Sequence, residues 1–168
     1  MKIVVVSDTH MPRMSKKLPD RLIAELADAD AILHAGDWTS ADVYTMLAAY
    51  APTYGVSGNN DGPELRKRFG LKKLLKLGGC TIGLIHGHGI NKSIATETRA
   101  VEAFRGQRLD VIVYGHSHIP VLKRIGKTMI LNPGSPTDKR RQPQDSFAIM
   151  RIVDGKVDAQ LIAYDDKS

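Results

Sequence analysis

Residues 2–10 read Lys-Ile-Val-Val-Val-Ser-Asp-Thr-His, and this stretch decides the fold because a short apolar run is followed at once by polar residues. Four consecutive apolar side chains bounded by polar ones are typical of a strand buried on both faces, as in parallel sheets. The same run is too short for the core of a signal peptide. We therefore expect Lys2–Ser7 to be a buried strand whose carboxyl end presents Asp8 and His10.

Strand and helix patterns alternate in the residues that follow. The expected elements are a helix over Pro19–Ala27, a strand over Ala31–His34, a helix capped by Ser40 and running through Tyr50, and a strand over Thr53–Ser57. Parallel neighbours need a crossover connection, which a helix commonly provides. This β-α-β-α-β beginning therefore predicts a parallel sheet.

The second half of the chain predicts hairpins and one more helix. The pairs Gly78-Gly79, Gly126-Lys127 and Asp154-Gly155 each separate two apolar segments, which is a hairpin signal. The expected elements are the strands Leu74–Leu77, Cys80–His86, Val111–Tyr114, Pro120–Ile125, Thr128–Leu131, Phe147–Val153 and Val157–Tyr164, and a helix over Ser93–Arg105. We predict a mixed, layered α/β fold with two sheets packed between helices, in a single domain spanning residues 1–168.

The composition is ordinary for a globular protein, with 42% hydrophobic and 25% charged residues. The longest apolar run is the six residues Met46–Ala51, which is too short to span a bilayer. The single cysteine, Cys80, excludes an intrachain disulfide and a thiolate zinc cluster, and we expect it to pack as a small hydrophobic residue. These features predict a cytoplasmic protein without a membrane segment.

The net charge of +6 is unevenly distributed along the chain. Residues 62–76 and 120–141 each contain six basic side chains and one acidic side chain, so the rest of the chain is net acidic. These basic stretches could steer an anionic substrate, or they could be solvated loops that keep the protein soluble. Because aromatic residues make up only 5% of the chain, stacking on nucleic-acid bases is not indicated, and nucleic acid is expected at most as a substrate.

Residues that commonly bind metals follow the ends of five expected strands. The motifs are Asp8-Thr9-His10, Gly36-Asp37, Gly58-Asn59-Asn60-Asp61, His86-Gly87-His88 and Gly115-His116-Ser117-His118. The carboxyl ends of parallel strands line one crevice, so these loops should converge. Imidazole and carboxylate together suit Mn²⁺, Fe, Zn²⁺ or Ni²⁺ better than Ca²⁺. The donors are too many for one tetrahedral ion, which favours a pair of ions of the kind that promotes displacement at phosphorus.

The ordered series D-x-H, G-D, G-N-x-D, H and G-H-x-H resembles the calcineurin-like metallophosphoesterases, and the short chain resembles their small prokaryotic phosphodiesterase branch. The motifs span residues 8–118, and the strand pattern fits nearly the whole chain. The resemblance implies a four-layer α-β-β-α fold with two mixed sheets sandwiched between helices. It also implies two divalent ions per chain, with Mn²⁺ favoured and Ni²⁺, Fe, Zn²⁺ or Mg²⁺ as alternatives.

The resemblance further implies a role for each matching residue. Seven residues would be metal ligands: Asp8, His10 and His118 for one ion, Asn59, His86 and His116 for the other, and Asp37 bridging both. Hydrolysis of an anionic phosphoester would then begin with attack on phosphorus by a hydroxide that the two ions share.

Asn60 departs from the family pattern. The phosphatases of this family usually have a histidine at this position, which can protonate the leaving group, whereas an asparagine cannot. Asn60 could still donate a hydrogen bond to a phosphoryl oxygen, and His88 is a candidate for the missing acid. Because diesters with acidic leaving groups tolerate the absence of an acid, a phosphodiesterase is favoured.

Two other functions stay open. One is a phosphomonoesterase, and the other is a protein-binding scaffold resembling the retromer subunit of this fold, although all seven ligand positions are filled here. The family also makes a homo-oligomer plausible. We expect His34 to pack beneath the site or support a ligand, and Asp61 to orient a neighbour or stabilise a turn.

Overall fold

The computed structural model describes residues 1–165, which form ten strands and four helices. In chain order the elements are β1 (Lys2–Val6), α1 (Asp20–Leu26), β2 (Ala31–His34), α2 (Ala41–Ala48), β3 (Thr53–Gly55), α3 (Pro63–Phe69), β4 (Lys72–Leu77), β5 (Cys80–Ile85), α4 (Thr96–Ala103), β6 (Val111–Val113), β7 (Val121–Ile125), β8 (Thr128–Asn132), β9 (Asp145–Val153) and β10 (Lys156–Tyr164). No helix within residues 1–165 is long and apolar enough to cross a bilayer.

The strands form two mixed five-stranded sheets. The first sheet has the order β10-β9-β1-β2-β3, and its β1, β2 and β3 are parallel as the sequence predicts. The second sheet has the order β4-β5-β6-β8-β7, in which β5, β6 and β8 are parallel and the two edge strands are antiparallel. The hairpins predicted at the three turn pairs are all present.

Alternate side chains of β1 explain why its apolar run is continuous. Ile3 and Val5 face the second sheet and pack in one cluster with Ile82 and Leu84 of β5. Val4 and Val6 lie on the opposite face of the strand and pack in a cluster with helices α1, α2 and α3. A third cluster packs α4 against the outer face of the second sheet. The four-layer α-β-β-α architecture is confirmed.

Several expected helices are shorter than the sequence predicts. Ser40 caps α2 through a hydrogen bond from the Asp42 amide, as expected, but the helix ends at Ala48 rather than Tyr50. The helix expected from Ser93 begins only at Thr96, because the Asn91 side chain accepts hydrogen bonds from the Ser93 amide and hydroxyl. Such local side-chain bonds compete with helix formation.

The interpretation of residues 62–76 as a solvated loop is wrong, because this stretch forms α3 and β4. Pro63 occupies the first turn of α3, Leu65 and Phe69 are buried one turn apart, and Gly70 ends the helix with φ 72°. The basic side chains in its last turn also complement the helix dipole. Within residues 120–141, β7 and β8 account for ten positions, so only the remaining ones lie in loops.

The fold brings the carboxyl ends of both parallel cores to one edge of the sandwich. The backbone amide of His116, after β6, donates to Asp8 Oδ2, after β1, at 2.9 Å. The ring of His86, after β5, bonds through Nδ1 to the carbonyl of Ala35, after β2, at 2.7 Å. Loops separated widely in sequence therefore meet at this edge, as predicted.

Candidate metal centre

Two buried carboxylates, those of Asp8 and Asp37, lie at this edge and are close to the same two histidines, His10 and His86. Asp8 Oδ2 accepts hydrogen bonds from the Ser7 hydroxyl at 2.8 Å and the His116 amide at 2.9 Å, which leaves Oδ1 turned toward the histidines. Asp37 accepts from the backbone amide and the side-chain amide of Asn60, both at 2.9 Å. The Asp8 carboxylate is thus held by donors at Oδ2 and open to a cation at Oδ1. Both oxygens of Asp37 accept from Asn60, and its Oδ2 also faces His10 and His86.

The structure groups these carboxylates with three histidines into two sets of potential ligands. One set is Asp8, His10 and His118, and the other is Asp8, Asp37 and His86, with the donor atoms of each set within 4.8 Å of one another. We call these five residues the candidate metal centre.

The distances between donor atoms fit shared cations better than direct hydrogen bonds. Asp8 Oδ1 lies 3.5–3.7 Å from the Nε2 atoms of His10, His86 and His118, and Asp37 Oδ2 lies 3.3–3.4 Å from those of His10 and His86. Hydrogen bonds of this type are usually shorter than about 3.2 Å. Two donors about 2.1 Å from one ion in tetrahedral geometry lie about 3.4 Å apart.

Buried polar atoms without partners support this fit. Within the described chain, Asp8 Oδ1 and His10 Nε2 are buried and make no hydrogen bond. An unsatisfied buried polar atom costs about 1–3 kcal/mol, so a purely structural role for both atoms would destabilise the fold. The residues present therefore fit divalent cations.

Backbone carbonyls set the orientation of two of these imidazoles. His86 Nδ1 bonds to the carbonyl of Ala35, and His118 Nδ1 bonds to the carbonyl of Asp138 at 2.5 Å. Because a carbonyl only accepts, both Nδ1 atoms carry a proton, and Nε2 is the ring atom that faces the centre and can bind a cation. This is the arrangement that metal-binding histidines typically have.

The electrostatics of the centre favour positive charge. Burial opposes protonation of His86, but the carboxylates of Asp8 and Asp37 raise its pKa to about 9. Burial likewise opposes ionisation of those carboxylates, but the surrounding histidines hold their pKa values below the usual range. The site therefore combines two ionised carboxylates with ring nitrogens that compete for a proton or a cation.

The other four predicted site residues lie around this centre. Asn59 Oδ1 is 3.1 Å from His86 Nε2, which places its amide oxygen beside a ring nitrogen of the centre. The ring of His116 packs edge-on against His86 with 5.1 Å between centroids, and burial lowers the pKa of His116 to about 4. His88 lies 5.4 Å from His86 by the same measure. Asn60 donates hydrogen bonds to Asp37 and also lines the adjoining cavity.

Asp61 and His34 are buried residues that hold the loops of the centre in place through hydrogen bonds. The Asp61 carboxylate accepts hydrogen bonds from the amides of Asp37 at 2.9 Å, Thr39 at 2.8 Å and Gly58 at 2.7 Å. His34 bonds to the Thr9 hydroxyl, accepts from the Gly36 amide and stacks on Trp38 with 3.8 Å between ring centroids. Because burial lowers the pKa of His34 to about 3, its ring stays neutral.

Strained backbone conformations are concentrated at this site. Eight non-glycine residues in the described chain have positive φ, and all but Asp154 lie in the site or on its rim: Asp8, His10, Asp37, Thr39, His116, His118 and Arg140. Such conformations are rare, cost about 1–3 kcal/mol each and cluster at functional sites. The packing of both sheets therefore maintains geometry that these residues would not adopt alone.

Two glycines are needed for the close approach of loops at the centre. A Cβ atom on Gly58 would overlap with the Asp37 carboxylate, and one on Gly115 would overlap with the Ser7 hydroxyl. Both positions follow expected strands, so the glycines in these motifs reflect crowding of the loops at the centre.

Sequence reasoning did not single out Arg13, Thr39, Ser135 or Thr137 as part of the site. The Ser135 and Thr137 hydroxyls donate to the carbonyls of Asp8 at 2.7 Å and Thr9 at 2.6 Å and so tie a loop of the second sheet to the centre. Arg13 and Thr39 line the adjoining cavity together with Arg140. No motif marks these positions, since only the packed loops bring them together.

A family model for the calcineurin-like phosphoesterase superfamily domain matches residues 1–155. The chain is 34% identical over 166 residues to a probable metallophosphoesterase of Methanothermobacter thermautotrophicus, with 96% of this chain and 92% of that protein covered. The chain therefore belongs to the calcineurin-like phosphoesterase superfamily, a family of metal-dependent phosphoesterases. The resemblance inferred from the motifs is confirmed.

Two further proteins show how this fold is used elsewhere. A phosphodiesterase of Methanocaldococcus jannaschii is 26% identical over 151 residues, with 80% of this chain and 83% of that protein covered. The structure of Vps29 from Entamoeba histolytica complexed with Zn²⁺ matches with a TM-score of 0.73 and 24% identity, over 97% of this chain and 99% of that one. The second likeness concerns the fold alone.

Proposed function

We propose that this protein is a phosphodiesterase that depends on two divalent cations. The observation that carries the proposal is the placement of Asp8 Oδ1, which is buried, has no hydrogen-bond partner within residues 1–165 and faces three histidine Nε2 atoms. Two donor sets that share Asp8 supply more ligands than one tetrahedral ion uses. Asn59 and His116, at the margin of the second set, would complete it.

Each group of residues at the site would have a separate role in the reaction. Cations bound at the candidate metal centre would supply Lewis acidity toward phosphoryl oxygens and lower the pKa of water. Asp8 and Asp37 would offset only part of the cationic charge, which leaves the site complementary to the negative charge that develops at phosphorus. The Asn60 amide, which also faces the cavity, would donate a hydrogen bond to a phosphoryl oxygen.

A diester substrate is favoured over a monoester for two reasons. Asn60 cannot protonate a leaving group, and burial lowers the pKa of His88, so its ring is mostly neutral at pH 7. A relative that covers most of the chain is named a phosphodiesterase. The imidazole and carboxylate donors suit Mn²⁺, Fe, Zn²⁺ or Ni²⁺, and the family resemblance favours Mn²⁺ among them. Cytoplasmic location and homo-oligomer formation stay predictions.

Metal stoichiometry tests the two-cation part of the proposal. After loading with Mn²⁺ and removal of free ions, elemental analysis should approach two ions per chain, and Asp37→Ala should fall well below that number. The matched control is Asp20→Ala, which removes an exposed carboxylate from the first turn of α1 and should still bind two ions. Saturation of the wild type at one ion would contradict the proposal.

Substrate comparison tests the reaction. The Mn²⁺-loaded protein should hydrolyse bis(p-nitrophenyl) phosphate with a higher kcat/KM than p-nitrophenyl phosphate. A higher value for the monoester would make the protein a phosphomonoesterase. Binding of two ions with no turnover of either ester would favour a protein-binding scaffold instead.

A further inference from the structure

The cavity beside the candidate metal centre contains two arginines whose charges are available. The cavity has a volume of about 530 Å³, and Arg13 and Arg140 line it together with His10. Arg13 is exposed and makes no hydrogen bond or ion pair within residues 1–165. Arg140 Nε lies 3.8 Å from Asp138 Oδ2, which is too far for a hydrogen bond. Both guanidinium groups can therefore donate to a ligand.

The remaining lining of this cavity suits a small polar group. Thr39 and Asn60 contribute a hydroxyl and an amide, Asp138 contributes one carboxylate, and Met14 is the only apolar residue among the described residues of the lining. The same lining contains no Phe, Tyr or Trp, so a nucleobase would have none of these rings to stack on there. Two guanidinium groups against one carboxylate leave the cavity net positive.

At least three of the six basic side chains in residues 62–76 make contacts within the fold. Arg66 donates to the carbonyl of Asp61 at 3.2 Å, and Lys73 donates to the carbonyl of Gly55 at 2.6 Å. The Arg68 guanidinium lies 4.0 Å from the centre of the Tyr44 ring. Arg13 and Arg140 instead line the cavity beside the centre, and within the described chain the one ion pair of these two arginines is that of Arg140 with Asp138 at 3.8 Å.

The loop that carries Arg140 is anchored to the candidate metal centre. The carbonyl of Asp138 bonds to His118, and the Ser135 hydroxyl donates to the carbonyl of Asp8. Arg140 itself has φ 49°, in the same rare region as the residues of the centre. The backbone that carries this arginine is therefore anchored beside the centre.

We propose that Arg13 and Arg140 form a subsite for a second phosphate of the substrate, next to the scissile diester. The preferred substrate is thus a phosphodiester that carries a further phosphate on one ester arm, and this inference rests on the proposed phosphodiesterase function. Guanidinium groups pair with phosphate through charge-assisted and often bidentate hydrogen bonds. A neutral or cationic arm gains none of these bonds.

A charge series of substrates tests the subsite directly. Three p-nitrophenyl phosphodiesters would be compared whose second ester arm is ethyl, 2-phosphoethyl or choline. The wild type should prefer the phosphate arm over ethyl by about tenfold or more in kcat/KM, because charge-assisted bonds typically contribute at least that factor. Arg13→Gln and Arg140→Gln should each lower this ratio, whereas Arg108→Gln, an exposed arginine before β6 at the opposite edge, should keep it.

A binding measurement gives a second readout that needs no turnover. In amide NMR spectra of chelator-treated protein, 2-hydroxyethyl phosphate should perturb residues 13 and 140, and Arg140→Gln should abolish these shifts. Hydrolysis of the ethyl ester without any preference for the phosphate arm, or shifts confined to residues 62–76, would overturn the subsite and leave the phosphodiesterase intact. Shifts at residues 13 and 140 without hydrolysis of any ester would support the subsite and overturn the phosphodiesterase.

Discussion

At the level of individual side chains, Asp61 organises the candidate metal centre without belonging to either set of donors. Its carboxylate accepts hydrogen bonds from three backbone amides, including that of Asp37. Asp61→Asn keeps the size of the side chain but replaces one accepting oxygen with an NH₂ group, which would face a backbone N–H donor. We expect the free energy of unfolding to fall by about 2–3 kcal/mol and cation affinity by about 10–100-fold, measured by urea denaturation and metal titration.

Asp110→Asn is the matched control for this prediction. Asp110 also accepts a backbone hydrogen bond, from the Thr81 amide at 2.8 Å, but it lies at the start of β6, away from the centre. This variant should lose about 1 kcal/mol of stability and keep wild-type cation affinity. If Asp61→Asn also kept wild-type affinity, the carboxylate would support the fold alone.

Asn60 and His88 differ in what they can do for a leaving group. Asn60→His introduces an acid at the cavity, so the rate should depend less steeply on the leaving-group pKa across a series of aryl diesters. General acids contribute up to about 10²–10⁴-fold for leaving groups that need a proton. The measurement is the slope of log kcat against leaving-group pKa, which should become shallower.

His88→Gln should instead slow all esters of that series to a similar extent. Burial lowers the pKa of His88, so the protonated form needed for an acid is present only below this lowered value. A steeper slope in His88→Gln would show that His88 does protonate the leaving group in the wild type. In that case Asn60→His would add little.

At the scale of secondary-structure elements, α3 shows that basic side chains can stabilise this fold. The Arg68 guanidinium stacks over the Tyr44 ring of α2 at 4.0 Å. Arg68→Ala should lower the free energy of unfolding by about 1 kcal/mol through the lost cation–π contact and packing. Lys67→Ala, an exposed residue of the same turn, should stay within about 0.5 kcal/mol of the wild type in chemical denaturation. Equal losses would assign the effect to helix charge instead.

At the scale of the whole molecule, the location of a charge should matter more than the net charge of +6. Lys139 and Arg141 flank Arg140 in sequence and line a second cavity together with it. Arg108 and Lys127 line a cavity that also includes Asp110, just before β6. Reversing both charges of the first pair to Glu should lower kcat/KM by about tenfold at low salt, and the loss should shrink as salt screens the field.

Reversal of the second pair changes the net charge equally and serves as the control. Its kcat/KM should change by less than about twofold across the same salt range. Equal losses in the two double variants would mean that overall charge attracts the substrate. A loss for the first pair that does not depend on salt would indicate direct contact rather than steering.

Local sequence patterns were enough to predict most of the strands and the edge at which the site forms. The apolar run of β1, the alternation up to β3 and the three turn pairs are local patterns, and they depend only on which side chains must be buried. The same patterns also predict where the five polar motifs lie, because each motif comes at the end of an expected strand. Even α3 was detectable from Pro63, Gly70 and the spacing of Leu65 and Phe69.

The orientation of the site residues and the choice of basic groups that face the cavity depend on contacts between distant parts of the chain. The amide of His116 bonds to Asp8 across 108 residues, and the carbonyl that orients His118 belongs to Asp138, in a loop without a motif. Arg13 and Arg140 lie far apart in sequence and line one cavity. Hydrophobic periodicity indicates which face of its own helix or strand a residue lies on. These contacts instead depend on two sheets packing face to face, which no local pattern encodes.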